Sequence, residues 1–206
     1  MAGLDPAIQQ RELSFESMSA LSPALPIFYS THDGQSRRIA ERIAARLTAS
    51  GAAAQAADAA SDLPLPEAMA CLPAFVLVAS IRYGVHMRDA RHAMDVYGAL
   101  KDKPPLVLAS VNLTARKAHK ATPETNPYLR KWIRRRKLAP ALAAAFAGRL
   151  DYPRYGVFDR LAMQAIMTIS GGVTDPTAQI EYTDWNAVDA FADGILALAR
   201  ASAVPS

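Results

Sequence analysis

Apolar runs and helical patterns alternate along this chain, beginning with the apolar stretch from Leu25 to Tyr29, which predicts a buried strand. From Gln35 to Ala49 an apolar residue returns every four positions, which predicts an amphipathic helix. The alternation then continues, and it predicts strands at 52–57, 74–79, 105–111 and 142–148, and helices at 89–100, 157–170 and 185–199.

The strands at 74–79 and 105–111 are apolar on both faces, and helical segments at 35–49 and 89–100 alternate with the strands. This pattern is typical of a parallel sheet that helices cover on both sides. No repeat or linker divides the chain, so we predict one α/β domain at 24–200, a flavodoxin-like doubly wound five-stranded parallel sheet with helices on both faces. Residues 1–23 are predicted to form a flexible extension and 201–206 a tail.

The composition adds limits to this architecture. A hydrophobic fraction of 51% with a charged fraction of 20% describes a globular protein. The single Cys71 excludes an intrachain disulfide and a Cys-rich zinc site, and we expect it to be buried as a small apolar residue. No apolar run reaches the ~18–20 residues that span a bilayer, and residues 1–22 lack the apolar core of a secretory signal. We therefore expect a cytoplasmic protein.

The net charge of +4 is concentrated in one segment. Residues 112–137 carry nine lysines and arginines against a single acidic residue, Glu124, which is a net charge of +8. The rest of the chain is therefore acidic overall. Such a local patch predicts a binding site for an anionic partner or, alternatively, a solvated basic surface.

The turn after the first strand, "STHDGQS" at 30–36, carries small hydroxylated and polar residues. In a sheet of this class, ligands bind beyond the carboxyl ends of the strands, and a helix N-terminus attracts phosphate. Thr31 and Ser36 offer hydroxyl groups, Gly34 allows close approach of the backbone, and Asp33 is expected to point away and cap its own turn. Neither G-x-x-x-x-G-K-[ST] nor G-x-G-x-x-G occurs, which leaves a phosphate monoester held by neutral donors or an ordinary capped turn.

Two further loops follow later strands and are expected at the same edge of the sheet. One is "ASIRYGVHM" at 79–87, and the other is "SVNLTARK" at 110–117. In the first of these, Arg82 and Tyr83 could pack against a flat ring, while N–H groups near Gly84 contact its polar rim. The three loops together predict a site for a ring ligand that carries a phosphate.

On these loops the chain resembles the flavodoxin-like family and, within it, the flavodoxin-type protoporphyrinogen dehydrogenases that pass electrons to menaquinone. The shared motifs are "STHDGQS", "ASIRYG", "SVNLTARK", "TPETNPYLRKW", "YPRYGVFDR", "MTISGGVTD" and "YTDW". The resemblance implies that flavin mononucleotide (FMN) is the cofactor and that the three loops hold it. The implied FMN-binding residues are Ser30, Thr31, His32, Asp33, Gly34, Gln35, Ser36, Ser80, Ile81, Arg82, Tyr83, Gly84, Ser110, Val111, Asn112 and Leu113.

The same resemblance implies an oxidoreductase of heme biosynthesis that oxidises protoporphyrinogen IX to protoporphyrin IX and passes the electrons to a respiratory quinone. No side chain is compelled to act as an acid or base, so the sequence identifies no catalytic residue. Two alternatives on the same fold are a flavodoxin-type electron carrier and a general NAD(P)H:quinone reductase. The basic segment speaks against a carrier, because carriers usually dock through an acidic surface.

The basic segment, an insert at about 113–137, has two implied partners. Its cations could pair with the propionate groups of the substrate or with an anionic membrane surface, which would bring the enzyme to its quinone. The candidate contact residues are Arg116, Lys117, Lys120, Arg130, Lys131 and Arg134. We expect a peripheral position on the cytoplasmic face of the inner membrane and no nucleic-acid partner, and a homo-oligomer is left open.

The helix predicted at 157–170 has an apolar face that we expect to pack in the core, with a quinone or membrane contact as the alternative. That face comprises Phe158, Leu161, Ala162, Ala165, Ile166 and Ile169, with Met163 and Met167 beside it. The histidines at 86, 92 and 119 lack ligand spacing to one another or to Cys71, so no metal site is predicted.

Overall fold

The computed structural model describes residues 24–202, so the predicted extension at 1–23 and the last four residues of the predicted tail lie outside the described residues. The strands are β1 (Leu25–Ser30), β2 (Ala54–Asp58), β3 (Phe75–Arg82), β4 (Val85–His86), β5 (Leu106–Val111), β6 (Leu142–Phe146), β7 (Arg149–Asp151) and β8 (Gln179–Glu181). The α-helices are α1 (Gln35–Ala49), α2 (Pro66–Ala70), α3 (Arg88–Ala99), α4 (Pro127–Arg136), α5 (Val157–Ser170) and α6 (Trp185–Ser202). Short 3₁₀ turns occupy Leu113–Arg116, Ala118–Lys120 and Tyr152–Arg154.

Five strands form a parallel sheet in the order β2-β1-β3-β5-β6. The strand order reverses between β1 and β3, as in a doubly wound sheet, which confirms the predicted fold class. The short β4 pairs antiparallel with the end of β3, and β7 pairs with β8 in a separate antiparallel ribbon. Sequence analysis missed β4, β7 and β8, because runs of two or three residues are too short to show a period of two.

Successive side chains of the central strands face opposite layers of the core. On one face of the sheet, α1 and α6 cover Ile27, Val76 and Val107. On the other face, α3 and α4 cover Phe75 and Leu77. All five side chains are fully buried, which explains why these strands are apolar on both faces.

The helix α5 belongs to neither of these layers, so the prediction that its apolar face packs in the core is wrong. Phe158 is 87% exposed and Ile169 is 89% exposed. Met167 is the fully buried side chain of this helix, and it packs with Leu150 and Tyr152 in a small cluster at the β7–β8 ribbon. The helix therefore rests on a ribbon of three-residue strands, which is too small a surface to bury more of it.

Two smaller expectations also change. Cys71 is exposed rather than buried, because it ends α2, a five-residue helix with only one buried side chain, that of Met69. The strand predicted to end at 79 continues to Arg82, because its last residues pair with β4. This extension carries the middle of the three predicted loops beyond the edge of the sheet.

Candidate cofactor site

The start of α1 presents hydrogen-bond donors that lack acceptors. Gly34 precedes the helix in the left-handed region at a φ of +87°, no side chain caps the first turn, and that turn carries no acidic residue. The first N–H groups of a helix have no intrahelical partner. The Ser36 hydroxyl is also buried there without a partner among the described residues. This set of donors fits a phosphate group, which also interacts favourably with the helix dipole.

Asp33 does not cap this turn, contrary to the prediction, because the Gly34 N–H donates instead to Thr31 Oγ1 at 3.0 Å. The Asp33 side chain is about half exposed and borders a cavity of about 500 Å³ beside the loop. Partial burial raises the pKa of the Asp33 carboxyl, and the charge of Arg154 opposes that shift. Arg149 lines the same cavity and is paired with Asp151 at 3.1 Å. Sequence reasoning missed these two arginines because they come from a distant part of the chain.

The ends of β1, β3 and β5 border a second cavity of about 360 Å³, which adjoins the first. The predicted residues that line it are Thr31, Asp33, Gln35, Ser36, Ser80, Ile81, Tyr83, Gly84, Val111, Asn112 and Leu113. His32 and Gly34 line the larger cavity instead. The three loops thus meet at one edge of the sheet, beside the strand reversal where ligands bind in this class of fold. We call this 360 Å³ space the ring cavity.

The middle loop is a two-residue hairpin turn. Tyr83 and Gly84 have φ angles of +49° and +79°, and Arg82 pairs with Val85 across the turn, which is type I′ geometry. A left-handed φ is uncommon for a tyrosine and persists only where the surroundings hold it. Here the Tyr83 hydroxyl donates to Asp159 of α5, and the ring stays 68% exposed at the rim of the ring cavity.

The helix α5 covers the ring cavity with its inner side, where Met163 and Ile166 line the space. Two arginines hold the helix in place. Arg82 Nη2 donates to Asp159 Oδ2 at 2.6 Å near the start of α5, and Arg116 Nη2 donates to the Ser170 hydroxyl at 2.9 Å near its end. The guanidinium of Arg82, which we expected against a ligand ring, is therefore bound to α5.

Buried amide side chains fix the third loop. Asn112 Oδ1 accepts from Asn126 Nδ2 at 3.1 Å, and Asn126 Oδ1 accepts from the first N–H groups of α4. Ser110 is fully buried in this network, 3.2 Å from Asn112 Nδ2 and 3.0 Å from His86 Nε2. Ser110 therefore does not line the ring cavity, and its part is to position the loop.

The remaining predicted residues are scattered. Ser30 is fully buried, and its carbonyl accepts from Ser80 Oγ at 3.1 Å, which ties the ends of β1 and β3 together. Among the basic candidates, Lys131 lines a separate pocket beside Trp132. The others border neither the 500 Å³ cavity nor the ring cavity: Arg116, Lys117, Lys120, Arg130 and Arg134.

Residues of the ring cavity that sequence reasoning missed are Thr114, Tyr128, Gly148, Arg149, Tyr155, Met163 and Ile166. Several of them stand in or next to the quoted motifs, which was the available signal. That these residues bind a flavin stays a prediction.

Within residues 24–202, no three side chains of His, Cys, Asp or Glu come together in a way that could hold a metal ion. No helix in that part of the chain combines the length and the apolar character that crossing a membrane requires.

Comparison with known proteins shows a family and its relatives. The family model described as a flavodoxin domain matches residues 26–177. A protoporphyrinogen IX dehydrogenase (quinone) of Leishmania major is 38% identical over 185 residues, covering 88% of this chain and 78% of that protein. The protein of the same name from Escherichia coli K12 is 38% identical over 167 residues, covering 81% of this chain and 91% of that protein.

Among solved structures, rubredoxin oxygen:oxidoreductase from Desulfovibrio gigas aligns with a TM-score of 0.48 at 10% identity, covering 96% of this chain and 42% of that one. A TM-score this low establishes nothing about the fold, which rests on the strand order and the family model.

Proposed function

This chain belongs to the flavodoxin domain family, and from that premise we propose that it binds FMN and oxidises protoporphyrinogen IX to protoporphyrin IX, passing the electrons to a respiratory quinone. A flavin cofactor follows from the family. The substrate and acceptor are inferred from the names of the relatives. The observation that carries them is 38% identity, over at least 81% of this chain, to two proteins named for that reaction.

The turn at 30–36, which we call the phosphate loop, supports FMN over a flavin that lacks phosphate. Its donors are the free N–H groups at the start of α1 and the buried Ser36 hydroxyl, and Arg154 adds a nearby cation with no ion pair among the described residues. The flavin supplies the electron-accepting chemistry when bound. On this chain, Tyr155, Met163 and Ile166 would exclude water from one side of the ring cavity.

The test uses purified protein loaded with FMN and kept free of oxygen. Protoporphyrinogen IX and a soluble quinone analogue are supplied, and porphyrin fluorescence is followed together with quinone reduction. We expect both products, with one quinone consumed for each two electrons removed from the substrate. Holoprotein that reduces the quinone from NADPH but never from protoporphyrinogen would reassign the substrate.

Riboflavin, which has the flavin ring without the phosphate, is the matched control for the cofactor. Protein stripped of flavin should regain activity with FMN, and it should bind FMN at least ~100-fold tighter than riboflavin, because each charge-assisted hydrogen bond to phosphate is worth roughly 1.5–3 kcal/mol. Equal affinity for the two flavins would overturn the assignment of the phosphate loop.

The outer face of α5 supports a contact with an anionic membrane surface, from which a lipid-dissolved quinone would be drawn. Phe158, Leu161 and Ile169 are 87%, 59% and 89% exposed on this one helix. Exposed apolar side chains in such a stripe are typical of interfacial helices. Cations flank the helix at both ends, with Arg154 just before its start and Lys117 next to the arginine that holds its end. This combination fits an anionic lipid surface, and it supports our proposal that the protein lies at the cytoplasmic face of the inner membrane.

Flotation with phosphatidylglycerol vesicles tests this contact. The double variant Phe158→Ser and Ile169→Ser should lose most vesicle binding, while activity with a water-soluble quinone stays unchanged. The control is Leu65→Ser, which removes an apolar side chain that is 74% exposed far from α5 in the chain. If the double variant floats with the vesicles as well as the Leu65→Ser control does, α5 does not form the membrane contact.

A further inference from the structure

A third cavity, of about 230 Å³, lies beside the ring cavity, between the β3–β4 hairpin, the first turn of α3 and the helix α4. Gly84 and Tyr128 line both spaces, so the two cavities share a border. The side chains around it include four cations: Arg91, Lys131, Arg135 and Arg136. We call this space the cationic pocket.

Most of the positive charge of the cationic pocket is uncompensated. Arg136 Nη1 is paired with Asp95 Oδ1 at 2.7 Å. Arg91, Lys131 and Arg135 make no side-chain hydrogen bond or ion pair with any of the described residues. Lys131 and Arg135 are four residues apart, so they lie on one face of α4, and Arg91 approaches from α3. Like charges gathered around one pocket repel one another, and an anion bound among them offsets that repulsion.

The floor of the pocket is aromatic and uncharged. The His86 and Trp132 rings stack with centroids 3.7 Å apart and planes inclined by 22°, and both residues are buried. Burial, with a smaller contribution from Arg136, lowers the pKa of His86 to about 3, so the imidazole is neutral at physiological pH. The Trp132 indole N–H is also enclosed without an acceptor among the described residues. Cations above an apolar aromatic floor suit a carboxylate carried on an apolar arm.

We propose that the cationic pocket binds the carboxylate arms of the substrate and so directs its ring system toward the flavin in the adjoining ring cavity. The proposal rests on the proposed function, which supplies a substrate with two propionate groups. It assigns this role to Arg91, Lys131 and Arg135, of which sequence reasoning had named only Lys131. Arg130 and Arg134, which it also named, do not line this pocket.

The experiment compares two double variants of α4 in the FMN-loaded protein. Lys131→Met with Arg135→Gln removes two charges from the pocket, and Arg130→Gln with Arg134→Gln removes two charges from the same helix outside it. The substrates are protoporphyrinogen IX and its dimethyl ester, which keeps the ring system and lacks the carboxylates. The readouts are KM and kcat for each substrate, KM for the quinone, and the Kd for FMN.

We expect the pocket variant to raise KM for protoporphyrinogen IX about 10- to 100-fold, the loss expected for one or two charge-assisted hydrogen bonds. Its KM for the dimethyl ester and its Kd for FMN should stay within about twofold of wild type. The outer variant, Arg130→Gln with Arg134→Gln, should keep its KM for both substrates within about twofold of wild type. An equal rise of KM for the ester, or an equal effect of the outer variant, would overturn the proposal, since either outcome indicates a general surface effect.

Binding of the product separates this proposal from the proposed function. If wild-type holoprotein fails to oxidise protoporphyrinogen IX, the proposed function fails. The pocket proposal then stands only if wild type binds protoporphyrin IX at least tenfold tighter than its dimethyl ester and the pocket variant loses that preference. A pocket variant that loses binding to phosphatidylglycerol vesicles while keeping wild-type KM would assign the pocket to lipid headgroups and overturn the substrate role.

Discussion

The helices α1 and α5 have similar lengths and similar apolar patterns, but opposite surroundings. In α1, Ile39 and Ile43 are fully buried against the main sheet. In α5, Phe158 and Ile169 occupy equivalent positions in the pattern and are 87% and 89% exposed. An apolar stripe at helical spacing therefore predicts a helix, and it does not predict what will cover the stripe.

The difference comes from the second surface that each helix meets. The helix α1 lies on a parallel sheet beside α6, and paired charges run along that contact, with Arg42 bonded to Asp189 and Arg46 to Asp193. The helix α5 packs its buried side chain on the β7–β8 ribbon and borders the cavity beneath it, and polar contacts from Arg82 and Arg116 hold its two ends. The surface that α5 buries against the rest of the domain is small, and the remainder of its apolar surface is available to a partner.

The largest expected effect is on the α1 side of the comparison. Ile43→Ala should lower the free energy of unfolding by about 3–4 kcal/mol, because it removes a fully buried side chain and leaves a cavity. Urea denaturation followed by circular dichroism measures it as a lower midpoint with an unchanged slope. A loss below ~1 kcal/mol would contradict tight packing of this face.

The second largest effect is expected from acid, which should lower the free energy of unfolding of the domain through His86. The folded pKa of His86 lies far below the ordinary value of ~6.5, so its neutral form contributes stability that is complete above that pH and is lost as the pH falls toward about 3. Between pH 7.5 and 4.5 we expect protonation linked to His86 to lower the free energy of unfolding by about 3 kcal/mol. His86→Gln should flatten that part of the urea-midpoint profile, and His92→Gln, at an exposed histidine, should leave it unchanged.

Local loosening of α5 is the third expectation. The Tyr83 hydroxyl and the Arg82 charge lower the pKa of Asp159, so this contact is present above the ordinary pKa of ~3.9 and weakens as the pH falls below it. Asp159→Asn should speed amide hydrogen exchange in α5 roughly threefold to tenfold and leave the urea midpoint unchanged. Asp102→Asn, at an exposed carboxylate without a partner among the described residues, is the control. Faster exchange throughout the domain would contradict a local role.

The smallest effect is expected from Phe158→Ala. A side chain that is 87% exposed contributes little to folding, so the urea midpoint should correspond to a change within ~0.5 kcal/mol. This is the matched opposite of Ile43→Ala, since both remove a large apolar side chain from one stripe of a helix. A loss comparable to that of Ile43→Ala would show that the outer face of α5 is covered in solution.

Much of the candidate site was accessible from the sequence because it depends on local order along the chain. Each loop follows an apolar strand, and parallel strands end at the same edge, so Thr31, Gly84 and Asn112 were expected together, and all three line the ring cavity. Arg82 and Ser110 were in the right loops, but their side chains turn to partners on other elements. No spacing along the chain indicates such partners.

The amino-acid sequence by itself determined the order of the five strands of the parallel sheet, the four longest helices and the three loops at the sheet edge, because a strand or helix buried on a sheet must repeat its apolar positions at its own period. Only the tertiary structure decided that the outer face of α5 stays exposed. It also decided that Arg91 of α3 meets Lys131 and Arg135 of α4 around one pocket. Both facts depend on which surfaces of distant elements come into contact, and that is set by packing of the whole domain and not by the pattern within any one element.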